Sequence, residues 1–200
     1  MTEEQIAEHN RAFQDAVAII KDELLLHERK EMPAPGWWLR RKLNRALSLF
    51  ERVLQLNPEN WNAMWFMGKV RQRCGDDAGA LSCFERAYQV NPSQPDVARE
   101  GALMAMQLGR HDAAIAFAHR AVQIEPTNPG LHANLALAHL LAGHFVEAQS
   151  AIDRALSIDP ADSISKTIHS MIQHFAAYGR TPPNTTPELQ SYWAKNRKSD

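Results

Sequence analysis

Pro58, Pro92, Pro126 and Pro160 stand 34 residues apart, and this spacing restricts the fold more than any other feature of the 200-residue chain. Each closes a matching segment: LQLNP, YQVNP, VQIEP and LSIDP. An apolar residue, a polar one, an apolar one and then Asn or an acid precede the proline every time. Proline has no backbone donor and disfavours helix at the preceding residue, so each of the four marks a helix end. A fixed period of this length predicts a stack of similar supersecondary units.

Alignment of the units from Trp61, Pro95 and Pro129 exposes further regularities. Position 8 is Gly68, Ala102 and Ala136, and position 15 is Gly75, Gly109 and Gly143. Position 20 is Ala80, Ala114 and Ala148, and position 27 is Ala87, Ala121 and Ala155. The recurring glycine suits a turn between two helices. The recurring small residues let helices approach closely, and apolar residues such as Leu81, Phe84 and Tyr88 recur at helical spacing between them. Each unit is predicted to be a helix–turn–helix.

These units resemble tetratricopeptide repeats. That pattern has small residues at 8 and 20, an aromatic near 24, Ala at 27 and Pro at 32. Phe84 and Pro92 match directly, whereas Ala118 and Ile152 stand where the aromatic would be. The resemblance covers residues 61–162 and, for the second helix only, 37–60. It implies an all-α fold, an α-solenoid of antiparallel helix pairs wound as a right-handed superhelix. Three full repeats are expected at 61–94, 95–128 and 129–162, in one continuous solenoid domain.

Both ends depart from the pattern. In the unit that would begin at His27, the second helix keeps its stripe through Leu43, Ala46, Leu47, Phe50, Val53 and Leu56, but Pro33, Pro35 and Gly36 break the first. Before the break, Phe13, Val17, Ile20 and Leu24 recur at helical spacing, and Thr2 with Gln5 can form a capping box. A helix from 3 to 30, about 42 Å long, is expected to pair with one starting near Trp37. Residues 1–60 would then form an elongated hairpin turning at MPAPG, with Arg40 opposite Glu28, Arg45 opposite Glu23 and Leu43 opposite Leu25. Residues 1–31 carry a net charge of −4, which answers the basic cluster Arg40, Arg41, Lys42 and Arg45. Trp37 and Trp38 point about 100° apart on a helix. One of the pair is expected in the hairpin core, and the other, Trp37, exposed as a second contact site. Beyond Pro160, Ile164, Ile168, Met171 and Phe175 predict a capping helix over 163–178. Residues 179–200 form a Pro/Thr-rich tail, with a short helix from Thr186 placing Leu189, Tyr192 and Trp193 on one face.

Composition narrows the function. A net charge of −1 supplies no global field for nucleic acid or an anionic membrane. No run approaches the 18 apolar residues or so of a membrane span, and the acidic start MTEEQIAEHN predicts no signal peptide. A cytoplasmic location follows, with Cys74 and Cys83 as reduced, buried apolar residues. No phosphate-binding loop, nucleophile elbow or zinc-binding helix motif occurs. The nine histidines lack i, i+4 pairs, for His139/His144 and His169/His174 are five apart. The chain is expected to have no catalytic residues, no metal and no cofactor.

The family resemblance implies where a partner would bind. Positions 5, 9 and 12 of each first helix form a ridge about 100° from the core ridge. With positions 2, 6 and 13 this ridge would line a concave groove for peptides or partner segments. The residues expected there are Asn62, Trp65, Lys69 and Arg73, then Arg99, Leu103 and Met106, then Asn134, Leu137 and Leu141. Its first part is polar and basic around an aromatic, and its last part is apolar. The two-carboxylate clamp of some family members is missing, because Trp65, Lys69, Glu100, Gly130 and Asn134 occupy its positions. The reading is an interaction scaffold or adaptor for a protein or peptide partner. The alternatives are a dedicated single-partner inhibitor or immunity-type protein and, further off, a helical-repeat RNA binder. A second copy of the chain would attach through the N-terminal hairpin or the tail.

Overall fold

The computed structural model describes residues 1–24 and 34–196. Ten helices run along these residues, and none of the described residues lies in a strand. The chain divides into two compact units, Met1–Pro92 and Ser93–Asp200.

The first unit contains α1 (Glu3–Leu24), α2 (Trp37–Leu56), α3 (Trp61–Cys74) and α4 (Asp77–Val90). α1 pairs with α2, α2 packs on α3, and α3 pairs with α4. The expected capping box forms: the Thr2 N–H donates to Gln5 Oε1 at 2.8 Å, and the Gln5 N–H donates to Thr2 Oγ1 at 3.2 Å. Ala12, Ala16 and Ile20 meet Leu43, Ala46, Phe50 and Val53 in a core shared with Ala63, Met67 and Val70. Phe13, Phe50 and Phe66 form an aromatic cluster within it, with Phe50 and Phe66 stacked at 5.6 Å. An ion pair outside the expected cluster joins the two helices, with Arg52 Nε and Glu8 Oε1 2.7 Å apart. The pairings Arg40–Glu28, Arg45–Glu23 and Leu43–Leu25 need side chains outside the described residues, as do the helix after Leu24 and the first two turn residues, Met32 and Pro33.

The second unit contains α5 (Pro95–Gln107), α6 (His111–Ile124), α7 (Pro129–Leu141), α8 (Phe145–Ile158), α9 (Ser163–Tyr178) and α10 (Thr186–Asn196). α5 pairs with α6 and α7 with α8; α7 also packs on α5, α6 and α9. The helices α5, α7 and α9 therefore form a row, backed by α6 and α8.

The repeated glycines sit where the backbone demands them. Gly75, Gly109 and Gly143 have φ of 80°, 67° and 76°, a left-handed conformation that costs glycine nothing. At Gly75 the Asp76 N–H turns back to the Arg71 carbonyl at 2.9 Å, closing α3 and starting α4. In the first two full repeats a glycine of the first helix receives a ring from the second. A Cβ on Gly68 would lie 2.5 Å from Phe84 Cε1. In the next repeat Gly101 and Phe117 take these parts, with a Cβ on Gly101 2.9 Å from the Phe117 ring. Both partners have moved one residue earlier than Ala102 and Ala118, so the fit survives because both shifted together.

In α9 the expected stripe is partly corrected. Ile168, Met171 and Phe175 are buried, but Ile164 is 64% exposed. The buried face runs through Ser165, Ile168, Ile172 and Phe175, spaced 3, 4 and 3, which leaves Ile164 on the rim. Asp162 caps this helix, accepting from the Ser165 hydroxyl and from the N–H groups of Ser165 (2.9 Å) and Ile164 (3.2 Å). These bonds, the Ser165 hydroxyl first, hold its carboxyl below its ordinary range. A depressed pKa gives stability that is present above the unfolded aspartate value and is lost as pH falls through the folded value. Asp162→Ala should therefore lower stability by about 1 kcal/mol at neutral pH. In urea titrations the gap to the parent should close as pH falls below the ordinary aspartate value of about 4; a gap independent of pH would exclude the carboxylate as its source.

Candidate functional site

The first-helix faces present the residues that the repeat pattern singles out. On α3, Asn62, Trp65, Lys69 and Arg73 follow one another at helical spacing, and all four are half-buried. Trp65 meets Phe66 edge to face at 4.9 Å, and its indole Nε1 has no hydrogen-bond partner although it is buried. A buried donor left unpaired costs about 1–3 kcal/mol. Lys69 Nζ reaches Gln72 Oε1 at 3.0 Å on the next turn.

On α5, Arg99 is already held within the helix. Its Nη2 lies 2.8 Å from Asp96 Oδ1 and 3.5 Å from Oε1 of the buried Glu100. Leu103, Asn134 and Leu137 are half-buried. Met106 and Leu141, expected to line an open groove, are instead buried. Leu141 belongs to α7, which packs on α9, and Met106 to α5, which is overlaid by α10.

The sequence also offers the tail, with Leu189 and Trp193, as an occupant of the groove, and in the structure the tail helix does overlie α5. α10 lies against α5, and its Tyr192 ring packs on Phe175 of α9 at 5.2 Å between centroids. α7 lies between α5 and α9 in the row, and α6 and α8 back it. α10 therefore touches α5 and α9, the two outer helices of the row.

Two tetratricopeptide-repeat family models match the sequence, one over residues 67–129 and the other over 105–172. Together they span more than half of the chain. The chain belongs to the tetratricopeptide repeat (TPR) family.

Among solved structures, a MamA protein is similar at 14% identity, covering 94% of this chain and 90% of that one with a TM-score of 0.68. Residues 41 to the end of MamA from Desulfovibrio magneticus RS-1 are similar at 12% identity, with coverages of 86% and 92% and a TM-score of 0.63. YrrB, described as a TPR protein with an unusual peptide-binding site, is similar at 17% identity, with coverages of 92% and 91% and a TM-score of 0.63. At these identities the likeness is one of fold. No curated protein sequence matches the chain.

The tip of the N-terminal TPR-like hairpin differs from expectation. Trp37 and Trp38 are both exposed, at 63% and 76%, so the burial expected for one of them does not occur. The buried stripe of α2 passes through Leu43, Ala46, Phe50 and Val53. Extended backwards it passes through the partly buried Leu39, and at 100° per residue both tryptophans fall off this face. The two indoles pack on each other, edge to face at 4.3 Å, and the Arg41 guanidinium lies 5.8 Å from the Trp37 ring.

Cys74 and Cys83 are free thiols, and burial raises both pKa values, so neither is activated. A cleft of about 520 Å³ over α6, α7 and α8 is lined by His119, His132, His139, Glu147 and Arg154 among others. Burial, then His144, depresses the pKa of His139, and the nitrogen Nε2 of His132 pairs with the Pro126 carbonyl at 2.9 Å. No three His, Cys, Asp or Glu side chains among the described residues are placed to hold a metal ion. None of the described helices is long and apolar enough to cross a membrane.

Proposed function

We propose that this TPR protein is a non-catalytic interaction scaffold in which the first-helix face of α3 holds a peptide or helical segment of a partner protein. The observation that carries the reading is the Trp65 indole N–H, a buried donor with no acceptor. It stands on the family's partner face, one helical turn from Lys69 and two from Arg73. Rotation of the half-buried ring toward a bound segment offers this N–H to a backbone carbonyl or carboxylate of the partner, and the ring supplies a large apolar contact at low entropic cost. Lys69 and Arg73 favour a segment with acidic character. YrrB, which shares the fold, is described as having a peptide-binding site, and a peptide is the ligand class proposed here. The unactivated thiols Cys74 and Cys83 suit a reducing compartment such as the cytoplasm.

The test is capture of partners by the purified chain, followed by mass spectrometry and affinity measurement. Trp65→Ala should weaken the captured complex by at least about tenfold, a loss of about 1.4 kcal/mol. Trp65→Phe should retain part of the affinity because it keeps the ring and loses only the donor. Unchanged capture by the Trp65→Ala, Arg99→Ala double variant would eliminate the first-helix faces as the site. A single stoichiometric partner would favour the dedicated-inhibitor form of this reading, and several weaker partners the adaptor form.

A further inference from the structure

The tail has the construction of a ligand. α10 carries its own start signal: Glu188 Oε2 accepts from the Asn184 N–H (3.1 Å) and the Thr185 N–H (3.2 Å), while Thr185 Oγ1 accepts from the Glu188 N–H (3.4 Å). This reciprocal cap lets the helix form as it docks. With 11 residues it is shorter than helices that are stable alone in water. Its order therefore comes from the surface beneath it.

That docking uses one face. Leu189 is 1% exposed and is the one fully buried side chain of the helix. One turn on, the Tyr192 hydroxyl accepts from Arg180 Nη1 at 3.1 Å and pairs with His174 Nε2 at 3.1 Å. The Trp193 ring stands edge-on to His174 at 5.7 Å. Before the helix, His111 Nε2 bonds the Asn184 carbonyl at 2.8 Å, and Pro182 is buried. Tyr192 and Trp193 remain only half-buried, and Thr186 Oγ1 is buried with no partner. The fit is specific yet incomplete, unlike that of a core helix.

We propose that α10 is an exchangeable internal ligand of the second unit, and that the α5–α7–α9 row receives an amphipathic partner helix carrying Leu, Tyr and Trp, or their equivalents, at i, i+3 and i+4. The proposal rests on the reading of the first-helix faces as partner-binding surfaces. The residues between α9 and α10, 179–185, form a short tether. Such a tether holds the helix at an effective concentration in the millimolar range. Modest intrinsic affinity therefore suffices to close the row. A partner helix with the same face and further contacts displaces α10 and occupies the Leu189 site.

The test needs no external partner. The probe is a fluorescein-labelled peptide of residues 184–196, followed by anisotropy against the full chain and against the full-length Leu189→Asp, Trp193→Ala double variant. The peptide should bind the double variant at least about 100-fold more tightly than the parent, whose own α10 competes at millimolar effective concentration. A peptide carrying Leu189→Asp should not bind. A second readout is hydrogen exchange on the unaltered chain, where α10 amides should exchange at least tenfold faster than those of α9 through local opening. Equal exchange of α9 and α10, or a peptide that binds neither form while the double variant keeps its helical circular dichroism, would make α10 a fixed cap and overturn the proposal. Neither result touches partner capture through Trp65, so failure here is distinguishable from failure of the scaffold reading.

Discussion

Phe84→Ala is expected to remove about 3–5 kcal/mol of stability. The ring is fully buried and fills the space that Gly68 leaves on α3. Truncation loses its apolar burial and leaves a cavity between α3 and α4, and a backbone pinned by the Gly75 turn has little freedom to collapse into it. The same geometry predicts that Gly68→Ala is destabilising alone, by about 1–3 kcal/mol, because the added methyl overlaps the ring. With Phe84 also truncated, the methyl enters the vacated space. The double variant should therefore be less destabilised than the sum of the single changes, by about 1 kcal/mol or more. Urea denaturation of the four proteins measures this coupling. Strict additivity would show that ring and glycine do not share one space.

Phe50→Ala should be comparably severe, also about 3–5 kcal/mol, but local in its effect. Phe50 is fully buried, stacked on Phe66 and edge-on to Phe13, so it links α1, α2 and α3. Repeat proteins are stabilised by each unit and its neighbours, with no contacts across the whole chain. Amides of α1 and α2 should therefore lose protection by several orders of magnitude, while those of α7 and α8 retain theirs. Hydrogen exchange resolved by segment provides the measurement. Equal loss in α7 and α8 would show that the two units unfold as one.

The features that the sequence disclosed are those whose cause lies within a turn or two of backbone. A proline every 34 residues ends a helix wherever it falls, and the glycines at 75, 109 and 143 stand where only a left-handed residue closes the turn. Thr2 and Gln5 cap a helix without help from the rest of the protein. The short helix from Thr186, with Leu189, Tyr192 and Trp193 on one face, was likewise legible from spacing and a start signal. The aromatic of the second full repeat was not, because Gly101 and Phe117 moved in concert and a register tied to fixed positions cannot register a compensated shift.

The partner face shows the same division. The residues of α3 and α5 that would face a ligand follow from helical geometry once the core stripe is known. Whether such a face is open depends on residues distant in the chain. Arg99 is paired by Asp96 and Glu100 within its own helix, and Met106 is buried in a helix that the tail, more than 80 residues later, overlies. Trp37 and Trp38 are both exposed because both lie about 100° or more from the face of α2 that packs into the core.

The sequence by itself determined the helices, their turns and the family, since dihedral preference and apolar period are local and repeat with the chain. The tertiary structure alone decided which faces are covered, because burial depends on which surfaces meet. That decision sets α10 against α5 and α9 and leaves two tryptophans in solvent.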